Sequence, residues 1–135
     1  MSDDVKKPFT LPSVENTIQV RFSDTDAMRH ISSGSYAAFA EVGREAFFKE
    51  IPDPIKEIPW FVLVHLEMDF VSEARFGQTF TLSTRCGKIT DKTITFDQVV
   101  YADEKVACKL KVVHVAFDAK TRKAIPIPLH WQPSS

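Results

Sequence analysis

Residues 21–36 read RFSDTDAMRHISSGSY, and they separate two segments with different hydrophobic periods. From Asn16 to Phe22, apolar residues alternate with polar ones, which is the pattern of a half-buried strand. From Ser35 to Ile51, apolar residues recur with helical spacing. The quoted stretch is therefore a strand-to-helix junction, and its carboxylates, histidine and serines lie where the helix begins.

The segments outward from this junction predict the fold class. Proline-rich sequence ends the helix, and four strand-like runs joined by short turns follow it, at 61–70, 79–86, 93–101 and 106–117. Strands joined by short turns form an antiparallel sheet, and the single helix must cover its apolar face. We therefore predict an α+β fold in which one long helix packs on an antiparallel five-stranded sheet.

Length and composition limit the possible classes of protein. The chain has 135 residues and a net charge of −1, so we expect one domain over 1–135, with a flexible arm at 1–14 and a tail at 124–135. The weak charge argues against nucleic acid or an anionic membrane as the main partner. The N-terminus lacks the apolar segment of a secretory signal, and no apolar run reaches the roughly 20 residues that span a bilayer. Cys86 and Cys108 form no metal or disulfide motif, so we expect reduced thiols in a cytoplasmic protein.

The strands at 93–101 and 106–117 carry apolar residues on both faces. One helix cannot cover both faces of a five-stranded sheet, and an open edge strand invites pairing with another chain. The pattern therefore predicts that a second copy shares the burial, in a homodimer or a dimer-of-dimers tetramer.

The junction carries a possible chemistry. Ser32, Ser33 and Ser35 are N-cap candidates, and the N–H groups of a helix start favour negative charge. Asp26 lies just upstream, where a carboxylate can act as a base or a nucleophile. Together these groups could perform acyl transfer or hydrolysis. A turn or cap role for Asp26 explains the same residues, and residue types alone leave both interpretations open.

The stretch DTDAMRHISSGSYAAFAEVGREAFF, residues 24–48, resembles the signature of the hotdog-fold acyl-CoA thioesterases, the 4-hydroxybenzoyl-CoA thioesterase-like group. That signature reads DTDxxGHVNNxxY and is followed by a Glu and an Arg on the helix. HLEMDFVSEARFGQTF and VVHVAFDAKTRKAIPIP are similar to the family's second strand and its closing strand and tail. The resemblance implies a hotdog fold, in which the sheet wraps around the helix.

The resemblance also implies roles for individual residues. Asp26 matches the catalytic carboxylate, and the backbone N–H near Ser33 matches the donor that polarises the thioester carbonyl. His30 matches a histidine that positions substrate. Arg29 stands where the family has Gly, and Ser32-Ser33 replace Asn-Asn. Arg29 is therefore expected to reshape the mouth of the pocket, to attract a substrate anion, or to mark a loss of activity.

Several further residues are candidates for the site, but a structural role also explains each of them. Tyr36 lines either the core or the acyl pocket. Glu41 is a second candidate for the catalytic carboxylate, although a surface ion pair with Arg44 also explains it. Lys92 lies in a turn where related enzymes place basic residues against CoA phosphates, although a solvated lysine is equally consistent. Asp24 is expected to make a structural hydrogen bond to the turn.

These features predict a hydrolase for a fatty or aromatic acyl-CoA thioester, with no metal or redox cofactor. The remaining histidines lack metal-ligand spacing, and no serine-hydrolase elbow or phosphate-binding glycine loop is present. Two alternatives stay open: a non-catalytic acyl-CoA-binding or regulatory hotdog protein, and an enoyl-CoA hydratase or dehydratase. The sequence does not distinguish CoA from acyl carrier protein.

Overall fold

The computed structural model describes residues 7–52 and 60–135. Its elements in chain order are β1 (Phe9–Thr10), β2 (Ser13–Ile18), a 3₁₀ helix (Phe22–Asp24), α1 (Ser33–Lys49), β3 (Trp60–Phe70), β4 (Phe80–Ile89), β5 (Thr93–Ala102), β6 (Lys105–Asp118), β7 (Lys123–Ala124) and β8 (Trp131–Gln132). No helix in these two ranges is long and apolar enough to cross a membrane.

Five antiparallel strands form the main sheet in the order β2-β4-β5-β6-β3, with the short β7 added to β6. The curled sheet packs against α1, so the predicted α+β hotdog architecture is confirmed. Along β5, buried and half-buried residues alternate strictly, because one face of the strand meets the core. The helix contributes one stripe to that core, formed by Tyr36, Phe39, Ala40, Gly43 and Phe47.

The N-terminal region differs from the sequence prediction. Residues 9–10 pair with β8 and residues 13–18 pair with β4, so the part of the predicted arm from residue 9 onward lies in strands or, at Leu11, in the core. The predicted strand at 16–22 begins earlier and ends at Ile18. Beyond it, the backbone N–H of Arg21 donates to Oδ2 of Asp24 at 2.8 Å, and this bond closes a 3₁₀ turn instead of extending the strand. The structural hydrogen bond predicted for Asp24 is thereby confirmed.

The helix packs tightly against the sheet at Gly43. A Cβ atom there would overlap Leu82 Cδ2 and would lie 2.6 Å from Thr84 Oγ1 and 2.8 Å from Gln98 Nε2. Gln98 is itself buried, and its amide donates to the Ala40 carbonyl and to Thr84 Oγ1, both at 2.9 Å. A polar contact thus crosses the helix–sheet boundary beside Gly43.

Arg44 completes this contact. The residue is 5 % exposed, and its guanidinium donates to Gln98 Oε1 at 2.9 Å. Burial lowers the pKa of Arg44, since desolvation disfavours the charged form, while the nearby Glu41 opposes that shift. The arginine therefore turns inward under the helix.

Gly43→Ala is expected to lower the free energy of unfolding by about 1–3 kcal/mol, because the methyl group must push α1 away from β4 and β5. Gly34→Ala is the matched control, since no heavy atom lies within 4 Å of a Cβ at that helical position. The control should raise stability by about 0.5–1 kcal/mol. Urea unfolding of both variants checks the difference, and equal effects would contradict the close approach at Gly43.

Candidate active site

The chain between the 3₁₀ helix and α1 forms a closed loop. The Asp26 N–H donates to the His30 carbonyl, and the Arg29 N–H donates to the Asp26 carbonyl, both at 2.9 Å. On its outer side the loop is held to the segment after β3 by a bridge between His30 and Arg75, and by the Ile31 N–H, which donates to the Ala74 carbonyl at 2.9 Å. These bonds give residues 25–31 a defined position next to the helix start.

The Asp26 carboxylate is oriented by this loop. Its Oδ1 accepts the backbone N–H groups of Met28 at 2.8 Å and His30 at 3.1 Å. Its Oδ2 makes no hydrogen bond to any described residue. One oxygen therefore fixes the side chain, while the other is available to a substrate or to water.

Asp26 is exposed to solvent and lines a cleft of about 480 Å³. Its lining combines polar side chains, among them His30 and Glu73, with the aromatic side chains of Tyr36 and Phe70. The complete lining is Asp26, His30, Ile31, Tyr36, Phe70, Val71, Ser72, Glu73 and Ala74. The cleft thus places a free carboxylate oxygen beside an apolar surface.

His30 contributes an imidazole nitrogen with no hydrogen-bond partner in the described part of the chain. Its Nε2 is buried and lies 3.9 Å from Glu73 Oε2. The Arg75 guanidinium lies 3.9 Å from the same oxygen, so Glu73 stands between the two side chains. Glu73 was not predicted as a site residue, because it comes to the loop only through the backbone pairing of residues 29–31 with residues 74–76.

Tyr36 closes the inner end of the cleft. The residue is 3 % exposed, and its ring packs 6.1 Å from Phe39 and 5.9 Å from Phe70, measured between centroids. Burial raises the pKa of Tyr36 to about 12, because the phenolate would be poorly solvated. Tyr36 therefore remains a neutral phenol and belongs both to the core and to the cleft wall.

Serine hydroxyls anchor the helix start without capping it. Ser32 occupies the N-cap position, but its hydroxyl and that of Ser35 donate to the Asp24 carbonyl, at 3.1 and 2.8 Å. The predicted side-chain cap is therefore absent at Ser32, and the first N–H groups of α1 gain no partner from it. Ser33 is exposed and does not line the cleft.

Three further predicted site residues lie away from the cleft. Glu41 is exposed on α1, and among the described residues it forms no ion pair with Arg44, so that predicted pair is wrong: Arg44 is drawn inward by Gln98. The Lys92 carbonyl accepts the Ala116 N–H beside the start of β3, whereas the cleft lies at the end of β3. Arg29 is exposed and does not belong to the cleft lining.

The fold and the loop can be compared with known proteins. A family model described as the thioesterase-like superfamily matches residues 20–133. The chain belongs to this superfamily. The family predicted from residues 24–48 is thus confirmed, and the match covers the loop, α1 and the strands that bound the cleft. A search of curated proteins finds no significant match.

Solved thioesterase structures share the fold. A predicted thioesterase from Bacillus stearothermophilus is 28 % identical, with a TM-score of 0.78, over 88 % of this chain and 90 % of that one. A thioesterase from Thermus thermophilus, complexed with coenzyme A and Zn, is 20 % identical, with a TM-score of 0.77, over 89 % and 88 %. A 1,4-dihydroxy-2-naphthoyl-CoA thioesterase from Synechocystis is 17 % identical, with a TM-score of 0.73, over 88 % and 92 %. The last two similarities show the fold alone.

Arg29 occupies the glycine position of the superfamily signature with a backbone that favours glycine. Its φ is +64°, in the left-handed region that costs a residue with a Cβ roughly 1–2 kcal/mol. The carbonyl of Arg29 accepts the Phe76 N–H at 3.0 Å, so the turn is part of the loop's attachment. Arg29 therefore adopts, with backbone strain, a turn that glycine would adopt freely.

Arg29→Gly is expected to raise the free energy of unfolding by about 0.5–1 kcal/mol. Glycine removes the backbone strain, but part of that gain is lost because the unfolded chain has more conformational entropy with glycine. Arg21→Gly is the control, because Arg21 has an extended backbone with φ of −100°. That variant should lose stability. Thermal unfolding of the two proteins checks the opposite signs, and destabilisation by Arg29→Gly would contradict the strained turn.

Proposed function

We propose that the protein hydrolyses the thioester of a fatty or aromatic acyl-CoA, with the Asp26 carboxylate as base or nucleophile. The proposal rests mainly on Asp26, which has an Oδ2 atom without a hydrogen bond to any described residue and which lines a cleft together with Tyr36 and Phe70. Membership of the thioesterase-like superfamily supports the reaction class.

In this mechanism the thioester carbonyl lies over Asp26, and the carboxylate either attacks the carbonyl carbon or removes a proton from an attacking water. The negative charge that develops on the carbonyl oxygen is stabilised by N–H groups of the first turn of α1, near Ser33, at the positive end of the helix dipole. When Asp26 acts as a base, collapse of the tetrahedral intermediate breaks the C–S bond, and the proton taken up by Asp26 passes to the departing CoA thiolate. When Asp26 acts as a nucleophile, collapse releases CoA and leaves an anhydride between the acyl group and Asp26, which a water molecule hydrolyses. Water supplies the oxygen of the product acid.

The cleft walls support a role in holding substrate. His30 lines the cleft, and its Nε2 has no hydrogen-bond partner among the described residues, so it is suited to a hydrogen bond with the thioester arm. Tyr36 and Phe70 offer aromatic surface to the acyl group. Behind Tyr36, the rings of Phe39 and Phe80 lie 6.4 Å apart and fill the core, so the acyl group lies along the mouth of the cleft.

We also propose a homodimer formed through β3. This strand ends the order of the described sheet, and it exposes a row of large apolar side chains that includes Trp60, Val62, Leu63 and Val64. An exposed apolar edge strand has free backbone groups that pair readily with another copy. Antiparallel pairing about a two-fold axis would satisfy those groups and bury the row.

Two buried thiols support a reducing compartment, and we place the protein in the cytoplasm. Cys86 and Cys108 are free and buried. Burial raises the pKa of each thiol to about 11, which keeps both of them protonated.

Asp26→Asn is expected to lower kcat by about 10²–10⁴-fold, because the amide can neither attack nor accept a proton at neutral pH. Thiol release from a panel of short, medium, long and aromatic acyl-CoAs measures the effect. Glu45→Gln is the control, since Glu45 lies on the exposed face of α1 and pairs only with Lys49 among the described residues. Full activity in Asp26→Asn would exclude the proposed role, and loss in Glu41→Gln instead would transfer it to Glu41.

The specific rival is a protein that binds acyl-CoA without hydrolysing it, which the strained Arg29 in place of glycine favours. The wild-type protein distinguishes the two: tight acyl-CoA binding with no thiol release would support the rival.

Val64→Lys is expected to convert the dimer into a monomer, because it places a charge in the apolar row of β3, where Val64 is 55 % exposed. Val42→Lys is the matched control, since Val42 is 51 % exposed on α1. Sedimentation equilibrium of both variants and of the wild type checks the mass. A monomeric wild type, or a Val64→Lys protein that remains dimeric, would contradict pairing through β3.

A further inference from the structure

Glu73 is brought to the cleft by backbone pairing, and it lies between two basic side chains. His30 and Arg75 are opposite one another in the bridge that joins the loop of Asp26 to the segment after β3. Glu73 precedes Arg75 by two residues, so it is a diagonal neighbour of His30 across this bridge. The pairing thus places a carboxylate beside the imidazole.

Two equal distances define the position of the Glu73 carboxylate. Its Oε2 atom lies 3.9 Å from His30 Nε2 and 3.9 Å from Arg75 Nη2. These separations allow Coulomb attraction but are longer than a hydrogen bond. His30 Nε2 is buried and has no hydrogen-bond partner among the described residues, so its hydrogen-bonding capacity is unused. A buried polar atom of this kind is uncommon in folded proteins and needs an explanation.

The backbone on both sides of Glu73 is held by hydrogen bonds. Before it, the Ser72 hydroxyl donates to the Val106 carbonyl on β6 at 2.6 Å. After it, the Ala74 carbonyl accepts the Ile31 N–H at 2.9 Å. The Glu73 side chain itself is 71 % exposed. Packing therefore does not fix this side chain, but its point of attachment beside the loop is fixed.

His30 connects Glu73 to the candidate catalytic carboxylate. The His30 N–H donates to Asp26 Oδ1 at 3.1 Å, and the His30 carbonyl accepts the Asp26 N–H at 2.9 Å. All three residues line the same cleft. A ligand that reaches Asp26 there also meets His30, with Glu73 next to it.

We propose that Glu73 is a positioning residue that holds the His30 imidazole as a hydrogen-bond donor to a carbonyl oxygen of the thioester arm. A negative charge near Nε2 favours a proton on that nitrogen and restrains the ring. Because Glu73 lies beyond hydrogen-bond distance, the Nε2 proton is left for the ligand. Arg75 attracts the same carboxylate oxygen and so restrains Glu73 in turn. The inference rests on the proposed function and adds to it a residue that acts on substrate binding through His30.

Glu73→Gln tests this role, because it removes the charge and keeps the shape of the side chain. The KM for an acyl-CoA thioester should rise about fivefold, the value of one hydrogen bond, while kcat stays within about twofold. This split separates Glu73 from Asp26, for which substitution is expected to lower kcat. An unchanged KM, or a fall in kcat alone, would overturn the proposal.

A double-mutant cycle tests whether Glu73 acts through His30. His30→Ala should also raise KM, because it removes the donor itself. Adding Glu73→Gln to His30→Ala should then change KM by less than about twofold, since the group that Glu73 positions is already absent. Two effects that multiply in the double variant would show independent action and would overturn the proposal.

Glu67→Gln is the matched control, since it removes another carboxylate that lies beside an imidazole. Glu67 Oε1 is 3.1 Å from His65 Nε2, and neither residue lines the cleft. This variant should leave KM unchanged. An equal rise of KM in Glu67→Gln and Glu73→Gln would indicate a general effect of surface charge and would contradict a specific role for Glu73.

Binding of a non-hydrolysable analogue separates this inference from the proposed function. The probe is an acyl-CoA analogue in which a methylene group lies between the sulfur and the carbonyl, and calorimetry gives its Kd. Glu73→Gln should raise this Kd about fivefold. A wild type that releases thiol, with a Kd that Glu73→Gln leaves unchanged, would overturn the role of Glu73 alone. A wild type that shows the expected change in Kd but releases no thiol would overturn the hydrolase and retain Glu73 as a positioning residue for binding.

Discussion

The position of α1 depends on the contact at Gly43, where the absence of a side chain lets the helix approach β4 and β5. Gln98 and Arg44 then connect the two layers with hydrogen bonds that only a short separation permits. Tyr36 lies seven residues earlier on the same face, about 10 Å along the helix axis. The depth of Tyr36 beside Phe70, and therefore the inner wall of the cleft, follows from a contact two helical turns away.

The junction before the helix is held in place by hydrogen bonds to the carbonyl of Asp24. It accepts the Ser32 N–H and the hydroxyls of Ser32 and Ser35, while the carboxylate of Asp24 closes the preceding turn. Because these hydroxyls donate to the carbonyl, Ser32 provides no side-chain cap, and the Ser35 N–H donates to the Ser32 carbonyl instead. The residues that resemble a cap in the sequence thus join the helix start to the turn at Asp24.

Periodic segments were predictable because burial imposes a period on the sequence: β5 alternates strictly, and α1 was placed within two residues at each end. The start of β2 was not predictable. Two prolines near Leu11 are typical of a loose segment, although Leu11 is buried in the core. Asp26 and His30 could be identified from the motif. Glu73 could not, because it reaches the loop only through backbone pairing between distant segments.

Arg29 has a strained backbone conformation that lowers the stability of the protein. The strain of its left-handed backbone, roughly 1–2 kcal/mol, is present whether or not a ligand is bound. The protein is therefore expected to be less stable than a variant with glycine at this position. Glycine would adopt the same turn without strain, and nothing in the structure explains the arginine.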